Sequence, residues 1–315
     1  MSISINVGDC RELLKQLPDE SVQCVVTSPP YWGLRDYGVS GQIGMERTLQ
    51  EHLQVIVSVF REVRRVLRKD GTCWVNYGDC YATTPNGRSA AETKALGDDD
   101  RTFRDKPFST IQANMKPKDL CMVPNRFAIA MQDDGWWVRS EIIWHKPNPM
   151  PESVTDRPAC QHEKIWLFTK SQKYFYDADA VRRPMAESSV PRLSQDIDNQ
   201  GGSNRQPGKT NGPMKAVGKR ADKQRGHSRR HAGFNERWDH MSHEDQTASA
   251  NLRNVWTIAT AAFTEAHFAT FPPALVEPCI KAGSRVGDTV LDPFGGQEQP
   301  HLSQIDLGEI ASCLS

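Results

Sequence analysis

The chain has 315 residues, of which 37% are hydrophobic and 25% are charged, and its 39 Lys and Arg balance 39 Asp and Glu. This composition is typical of a globular protein, and the length suits one large domain or two modest ones. A net charge of zero excludes any argument for a polyanionic partner from the total charge, so such a partner would need a local basic patch. No basic leader precedes an apolar segment, and no apolar run is long enough to span a bilayer. We therefore expect a cytoplasmic protein with no membrane contact.

Eight cysteines are present, and none forms a Cys-x-x-Cys pair. This spacing disfavours a disulfide framework and a zinc site, and it favours reduced thiols within the core. Cys160 and His162 are spaced like two metal ligands, but such an isolated pair usually binds nothing. We therefore predict no metal site.

The first half of the chain alternates between the apolar periods of strands and helices. In chain order the spacing predicts a strand at 3–7, a helix at 11–17, a strand at 22–26, a helix at 53–67, a strand at 72–77, a helix at 124–132, a strand at 137–144, and two strands at 164–168 and 173–176. Residues 78–118 are polar and aperiodic, which predicts a long loop.

The composition changes after residue 181. Residues 182–250 are polar and contain many Gly, Arg and Lys, with few side chains that could build a core. Apolar structure resumes at 251, with a predicted helix at 273–282 and a strand at 289–291. Alternating strands and helices predict an α/β fold with a mostly parallel sheet. We therefore expect a catalytic part at 1–181, a basic and partly flexible recognition insert at 182–250, and a cofactor-binding part of the same domain at 251–315.

A rigid loop follows the predicted strand at 22–26. Ser28-Pro29-Pro30-Tyr31 contains two prolines, which fix their own φ and bias the preceding residues toward extended geometry. Prolines lack an N–H group, so the loop offers mainly hydrogen-bond acceptors, to which Ser28 adds a hydroxyl oxygen. Acceptors beside the flat ring of Tyr31 suit a planar group that carries an NH2. The alternative from these four residues alone is a proline turn with a tyrosine in the core.

The run from Val26 to Tyr31, VTSPPY, resembles the catalytic motif of the amino-group DNA methyltransferases, which methylate cytosine N4 or adenine N6. Serine at position 28 is more typical of the cytosine members, and aspartate or asparagine of the adenine members. The resemblance implies a Rossmann-like fold, double-stranded DNA as a partner and S-adenosylmethionine as the cofactor. It also implies a restriction-modification role, with a homodimer and a cognate restriction nuclease as further partners.

A second motif, Asp292-Pro293-Phe294-Gly295-Gly296, resembles the S-adenosylmethionine loop of this family. Alone it could be any strand-to-turn junction, but catalytic loop first and cofactor loop last is the beta-type order of the family. The resemblance implies further cofactor residues in Asp9 and in Phe271 and Pro272. It implies a target-base pocket lined by Trp144, Lys146 and Asn148.

The basic insert is a candidate DNA-binding region. Residues 182–239 contain thirteen Arg and Lys against six Asp and Glu, on a chain that is neutral overall. Phosphate contacts would position the duplex, and polar side chains would read base edges. We expect Arg220, Arg225, Arg229 and Arg230 to contact DNA. The alternative is a solvated loop with no such role.

These residues predict methyl transfer to an exocyclic amine without a covalent enzyme intermediate. In this reading, Ser28 and the carbonyl of Pro29 accept hydrogen bonds from the amine of a flipped-out base, on which Tyr31 stacks. Cytosine N4 is the preferred target and adenine N6 the alternative. An enzyme that acts on another planar amine, in RNA or in a protein amide, is a further alternative.

The residues after Gly296 depart from the family pattern. The family usually continues with a small residue, a glycine and threonines before a helix, whereas this chain reads Gln297-Glu298-Gln299-Pro300 and ends at Ser315. Pro300 disfavours a helix directly after the glycines. We therefore expect a shortened cofactor part, and the rival hypothesis is a catalytically impaired DNA-binding relic.

Overall fold

The computed structural model describes residues 4–34, 40–84, 108–112, 114–184, 203–206, 209–211, 249–260 and 272–295. The chain divides into two compact units, one formed by Met1–Asp177 with Arg253–Ser315 and the other by Ala178–Leu252. The roles that we assign to the segments 1–181, 182–250 and 251–315 stay predictions.

Four helices and ten strands lie within the described residues. The helices are α1 (Cys10–Gln16), α2 (Leu49–Val66), α3 (Val123–Asp133) and α4 (Pro273–Gly283). The strands are β1 (Val22–Thr27), β2 (Leu67–Tyr77), β3 (Trp137–His145), β4 (His162–Thr169), β5 (Arg183–Pro184), β6 (Ser203–Gln206), β7 (Lys209–Asn211), β8 (Ser249–Ala250), β9 (Val255–Thr257) and β10 (Val290–Leu291).

Six strands form the main sheet, in the order β10-β1-β2-β4-β3-β9. The pairs β10/β1, β1/β2 and β3/β9 are parallel, whereas β4 is antiparallel to both of its neighbours. Five of the six strands therefore run in one direction, which confirms the prediction of an α/β fold with a mostly parallel sheet. Because of this arrangement, the carboxyl ends of β10, β1 and β2 and the start of β4 lie at one edge of the sheet.

Helices cover both faces of the sheet. Every residue of β1 is buried, as expected for a central strand of a parallel sheet. Since side chains alternate along a strand, Val25 and Val75 join the core cluster that contains the apolar stripe of α2. Trp74 points to the opposite face, where it lines a pocket with Leu275 and Cys279 of α4. The result is a three-layer sandwich with β1 and β2 in its middle.

Helix α2 begins earlier than the apolar spacing predicts, because a capping box starts it. The Thr48 side chain accepts from the Glu51 N–H, and the Glu51 side chain accepts from the Thr48 N–H. At the other end of α2, Arg65 donates to the carbonyls of Leu14 and Leu17. These bonds hold α1 against α2. Strand β1 follows α1 in the chain and leads into Ser28-Pro29-Pro30-Tyr31, the SPPY loop.

Two predicted strands are wrong. Residues 4–7, the described part of the predicted strand at 3–7, form no element, and neither do residues 173–176. The Phe175 N–H donates to the Asp70 carbonyl, and the Asp177 N–H donates to the Ala282 carbonyl. The segment thus makes separate backbone bonds to different elements instead of a ladder. Within the described residues, no helix is both long and apolar enough to cross a membrane.

Candidate active site

The two motifs that the sequence singles out meet at the carboxyl edge of the sheet. Ser28 follows β1, Asp292 follows β10, and Val25 pairs with Leu291 between these strands. The Thr27 hydroxyl donates to Asp292 Oδ1 at 2.5 Å, and the Phe294 N–H donates to the same oxygen at 3.0 Å. Residues that are 265 positions apart in the chain therefore share one hydrogen-bond network.

Tyr31 is held at both its hydroxyl and its ring. Its hydroxyl donates to Glu163 Oε2 at 2.9 Å, and its ring centroid lies 5.4 Å from that of Tyr77. Gly78 lies against the ring, since a Cβ on that glycine would be 2.4 Å from Tyr31 Cε2. Desolvation by burial and the nearby charge of Glu163 raise the pKa of Tyr31 well above its ordinary value of 10. The hydroxyl therefore stays protonated and can act as a donor at neutral pH.

Ser28 lies beside this tyrosine and is only half-buried. Its Oγ is 3.4 Å from the Tyr31 hydroxyl oxygen, and Asn76 Oδ1 is 3.4 Å from that same oxygen. The Asn76 amide donates to Glu163 Oε2 at 3.0 Å. The SPPY loop, the end of β2 and the start of β4 thus supply one polar cluster: Ser28, Tyr31, Asn76 and Glu163.

A second, buried network supports the SPPY loop from α2. His52 is fully buried, and its Nδ1 lies 2.7 Å from Glu46 Oε2 while its Nε2 contacts the Tyr77 hydroxyl. The Trp32 indole, 1% exposed, donates to the Glu46 carbonyl at 2.9 Å. Trp32 is therefore a packing residue that fixes the loop. Tyr77 connects His52 to Tyr31, because its hydroxyl contacts His52 and its ring packs on the ring of Tyr31.

Some of the predicted cofactor residues after β10 already contact other parts of the protein. The Phe294 ring packs on Phe60 of α2, with 6.2 Å between centroids. Asp292 is exposed as a residue, yet its carboxyl group is crowded by protein atoms, and this desolvation raises its pKa to about 6. Pro293 is half-buried and Gly295 is exposed. The carboxylate of Asp292 and the backbone of Gly295 therefore lie at the edge of the sheet, where a cofactor could contact them.

Asp9 is the N-cap of α1. Its carboxylate accepts from the Arg11 backbone N–H at 2.8 Å and forms an ion pair with the Arg11 guanidinium at 2.5 Å. The hydrogen bond from the Arg11 side chain lowers the pKa of Asp9. Arg11 also donates to the Gly41 carbonyl. These bonds explain how the turn is built, and the role of Asp9 toward a cofactor stays a prediction.

Of the predicted target-base residues, Trp144 lies at the end of β3, and Lys146 and Asn148 follow that strand. The Trp144 side chain is buried and donates to the Ile258 carbonyl at 2.8 Å. Lys146 reaches the polar cluster, since its Nζ contacts Glu163 Oε1 and lies 4.3 Å from the centroid of the Trp144 ring. Asn148 instead binds the backbone of Thr260 through both its amide oxygen and its amide nitrogen. Lys146 and Tyr31 thus bind the same carboxylate, that of Glu163. Asn148 instead connects the segment after β3 to the segment after β9.

The other predicted site residues lie outside the described part of the chain: Phe271, Gly296, Arg220, Arg225, Arg229 and Arg230. Pro272 is described and buried, immediately before α4. The assignments of all these residues stay predictions.

A narrow pocket adjoins the polar cluster. Its lining is mostly apolar, with Thr27 and Asn76 at the end nearest the SPPY loop. The pocket therefore lies between β1, β2, β4 and α4, beside the residues expected to react.

Sequence reasoning missed Glu163, Asn76 and Gly78. Asn76 and Gly78 come at the end of a predicted strand, where ligand-binding residues of α/β proteins are expected, and this signal could have identified them. Glu163 begins a strand, so its position at the same edge depends on the antiparallel direction of β4.

An α/β sheet with TSPPY after one strand and DPFGG after its parallel neighbour defines the class of amino-group DNA methyltransferases. Residues 22–299 match the N6/N4 methyltransferase family, described as DNA methylase. The chain belongs to this family, and it is a DNA methyltransferase.

Its relatives include type II methyltransferases of bacteria. It is 42% identical over 289 residues to M.XycI of Xanthomonas campestris pv. cyanopsidis, which covers 92% of this chain and 75% of that protein. It is 39% identical over 296 residues to M.SmaI of Serratia marcescens, with 94% and 80% coverage. Among solved structures it is similar to the cytosine-N4-specific PvuII DNA methyltransferase, with a TM-score of 0.55, 18% identity, and coverage of 99% of this chain and 78% of that one. The last likeness concerns the fold.

Proposed function

We propose that this chain transfers a methyl group from S-adenosylmethionine to the exocyclic N4 amine of cytosine in double-stranded DNA. The observation that carries the proposal is the contact between the two motif loops, in which Thr27 binds Asp292 beside Ser28 and Tyr31. A methyl donor at the DPFGG loop and a base at the SPPY loop would therefore be neighbours.

The chemistry of the amine explains the choice of residues. The lone pair of the cytosine amine is delocalised into the ring, which makes the amine a poor nucleophile. The Ser28 oxygen and the Pro29 carbonyl would accept its two hydrogens and direct the lone pair toward the methyl group. The amine is inaccessible in a stacked duplex, so the base must first flip out, and Tyr31 provides an aromatic face.

Cytosine is preferred over adenine because position 28 is a serine. Aspartate or asparagine at this position is more typical of the adenine members of the family. The PvuII enzyme, whose fold is similar, is named as cytosine-N4-specific. Methylation of adenine N6 is the alternative outcome of the test described below.

The residues at the DPFGG loop fit S-adenosylmethionine. When bound, this cofactor supplies an electrophilic methyl group on a sulfonium ion, and its charged ammonium and sulfonium groups suit a carboxylate at the sheet edge. Asp292 offers such a carboxylate, and the exposed Gly295 lets a ligand approach the backbone. We assign the cofactor to these residues, with Asp9 as a further candidate.

DNA recognition is assigned to the basic segment 182–250, whose excess of Arg and Lys suits phosphate contacts. We infer a cytoplasmic location for the enzyme, because its proposed substrate is cellular DNA. Since the relatives are type II methyltransferases, a cognate restriction nuclease with the same recognition sequence is the expected counterpart. A homodimer on the DNA is part of the same proposal.

Binding of S-adenosylmethionine is expected to weaken about tenfold between pH 7 and pH 5. Desolvation raises the pKa of Asp292 to about 6, so its carboxylate loses its charge over this range. The hydrogen bond from Thr27 lowers this pKa, so a Thr27→Val variant should lose affinity at a higher pH than the wild type. Isothermal titration calorimetry across this range gives the midpoint of the loss.

Thr27→Ser, which keeps the hydroxyl, serves as the matched control and should retain the wild-type midpoint. The stability of the ligand-free protein has the opposite trend. Because the folded pKa of Asp292 is raised, its contribution to folding is fully present below pH 3.8 and is lost as the pH rises through 6. An affinity that does not change between pH 5 and 7 would remove Asp292 from the cofactor site.

Nucleoside mass spectrometry tests the proposed function. DNA from cells that express the full chain should contain N4-methylcytosine, and DNA from cells that express a Ser28→Ala, Tyr31→Ala variant should not. N6-methyladenine in place of N4-methylcytosine would overturn the choice of base. Absence of both modified bases, with S-adenosylmethionine and DNA supplied to the purified protein, would overturn the function.

A further inference from the structure

Glu163 collects three donors at the centre of the candidate site. Its Oε2 accepts from the Tyr31 hydroxyl at 2.9 Å and from the Asn76 amide at 3.0 Å, while its Oε1 contacts Lys146 Nζ. The Glu163 side chain is 21% exposed and that of Lys146 is 19% exposed. A carboxylate so enclosed, with both oxygens bound to donors, is held in one orientation.

The Tyr31 hydroxyl has one proton and three neighbouring acceptors. The Glu163 carboxylate is at 2.9 Å, whereas the Ser28 oxygen and Asn76 Oδ1 are each at 3.4 Å. A charged acceptor at the shorter distance makes the stronger hydrogen bond. The proton of Tyr31 therefore points to Glu163, and the Tyr31 oxygen presents its lone pairs to Ser28.

This direction determines what Ser28 can do. A serine hydroxyl has one proton and two lone pairs. When its proton points to the Tyr31 oxygen, the lone pairs of Ser28 remain for an incoming donor such as an amine hydrogen. If the Tyr31 proton pointed to Ser28 instead, it would occupy a lone pair that the substrate needs.

We propose that Glu163 is a positioning residue for methyl transfer, which orients the Tyr31 hydroxyl so that Ser28 can accept from the target amine. The inference rests on the proposed function, and it holds for an amine of cytosine or of adenine. Asn76 and Lys146 fix the carboxylate, and Glu163 itself need not touch the base. Tyr31 thus contributes through its hydroxyl as well as through its ring.

A double-mutant cycle on the full-length protein tests this assignment. Steady-state kcat and KM for a DNA substrate are measured for the wild type, Tyr31→Phe, Glu163→Ala and the combined variant. Each single change should lower kcat about tenfold, the effect of one hydrogen bond to a charged group, with KM for DNA within about threefold. The kcat of the combined variant should be about tenfold below that of the wild type, and not about a hundredfold below it, because both changes break the same interaction.

Two further variants separate positioning from a general structural effect. Glu163→Gln keeps an oxygen that can accept from Tyr31, and it should recover most of the kcat that Glu163→Ala loses. Glu141→Ala breaks another carboxylate–lysine pair of the same sheet, with Lys164 at 2.6 Å, and should leave kcat unchanged.

Additive losses in the cycle would overturn the inference, since Glu163 would then act independently of Tyr31. Wild-type kcat in Tyr31→Phe would also overturn the inference. This variant keeps the ring packing and the Glu163–Lys146 pair, so it tests the inference even if Glu163→Ala fails to fold. A wild-type chain that methylates neither base overturns the proposed function and the inference with it. An active wild type with an additive cycle overturns the inference alone.

Discussion

Replacing Ser28 by alanine is expected to lower kcat by about 10²–10³-fold, with little change in the affinity for S-adenosylmethionine or DNA. Ser28 is half-buried directly after β1, and in the proposed function its oxygen is the side-chain acceptor that the SPPY loop would offer to an amine. Loss of one preorganised hydrogen-bond partner of a reacting group typically costs about this factor. Steady-state methyl transfer, with both substrates saturating, measures kcat directly.

Ser58→Ala is the matched control for Ser28→Ala. Ser58 lies on α2, where its hydroxyl donates to the Val55 carbonyl. This variant removes the same atom from a helix surface and should keep wild-type kcat. A Ser28→Ala enzyme within about threefold of the wild type would show that the amine finds its acceptors elsewhere, and the Pro29 carbonyl would then be the group to examine.

The sequence was sufficient to predict the two motifs because their chemistry is local. The prolines at 29 and 30 and the residues of DPFGG each follow a short apolar strand, and ligands of α/β proteins bind beyond the carboxyl ends of such strands. Parallel pairing of β1 with β10 then brings Thr27 to Asp292. The contact confirms that both loops lie at the same edge of the sheet.

The polar cluster could not be predicted in full, since it depends on long-range topology. Glu163 reaches Tyr31 because β4 runs antiparallel between β2 and β3, and no local pattern indicates that direction. The predicted strand at 173–176 failed for a related reason. Residues 173–176 look like a strand joined to 164–168 by a short turn, but the Phe175 N–H instead donates to the Asp70 carbonyl, and its ring packs under the guanidinium of Arg285 at 3.8 Å.

Cysteine placement shows where composition misleads. Cys24, Cys73, Cys121 and Cys279 are buried, in agreement with the prediction of core thiols, but Cys160 is exposed. Cys160 lies in the connection between β3 and β4, and its Sγ lies 3.4 Å from the His162 carbonyl. The sequence places Cys160 between two predicted strands. This position predicts its exposure better than the usual burial of cysteine does.

Replacing Gly78 by alanine is expected to lower kcat about 10²-fold in a protein that still folds. The added Cβ would lie 2.4 Å from Cε2 of Tyr31, so the tyrosine ring must move away from β2. The hydroxyl would then leave Glu163, and a displacement of about 1 Å in a reacting group can cost this factor. Kinetics of methyl transfer, together with a thermal unfolding curve, give both quantities.

Gly71→Ala provides the contrasting control, because Gly71 lies near the other end of the same strand. Its Cβ would be 2.7 Å from the Leu67 side chain and 2.9 Å from the Gln23 carbonyl, far along β2 from the SPPY loop. We expect this variant to unfold at a lower temperature but to keep kcat per folded molecule, which is the reverse of Gly78→Ala. If both glycine variants lose stability and activity together, the fixed ring of Tyr31 has no separate part in the reaction. If Gly78→Ala alone loses kcat, the packing of that ring against the end of β2 is itself a catalytic requirement.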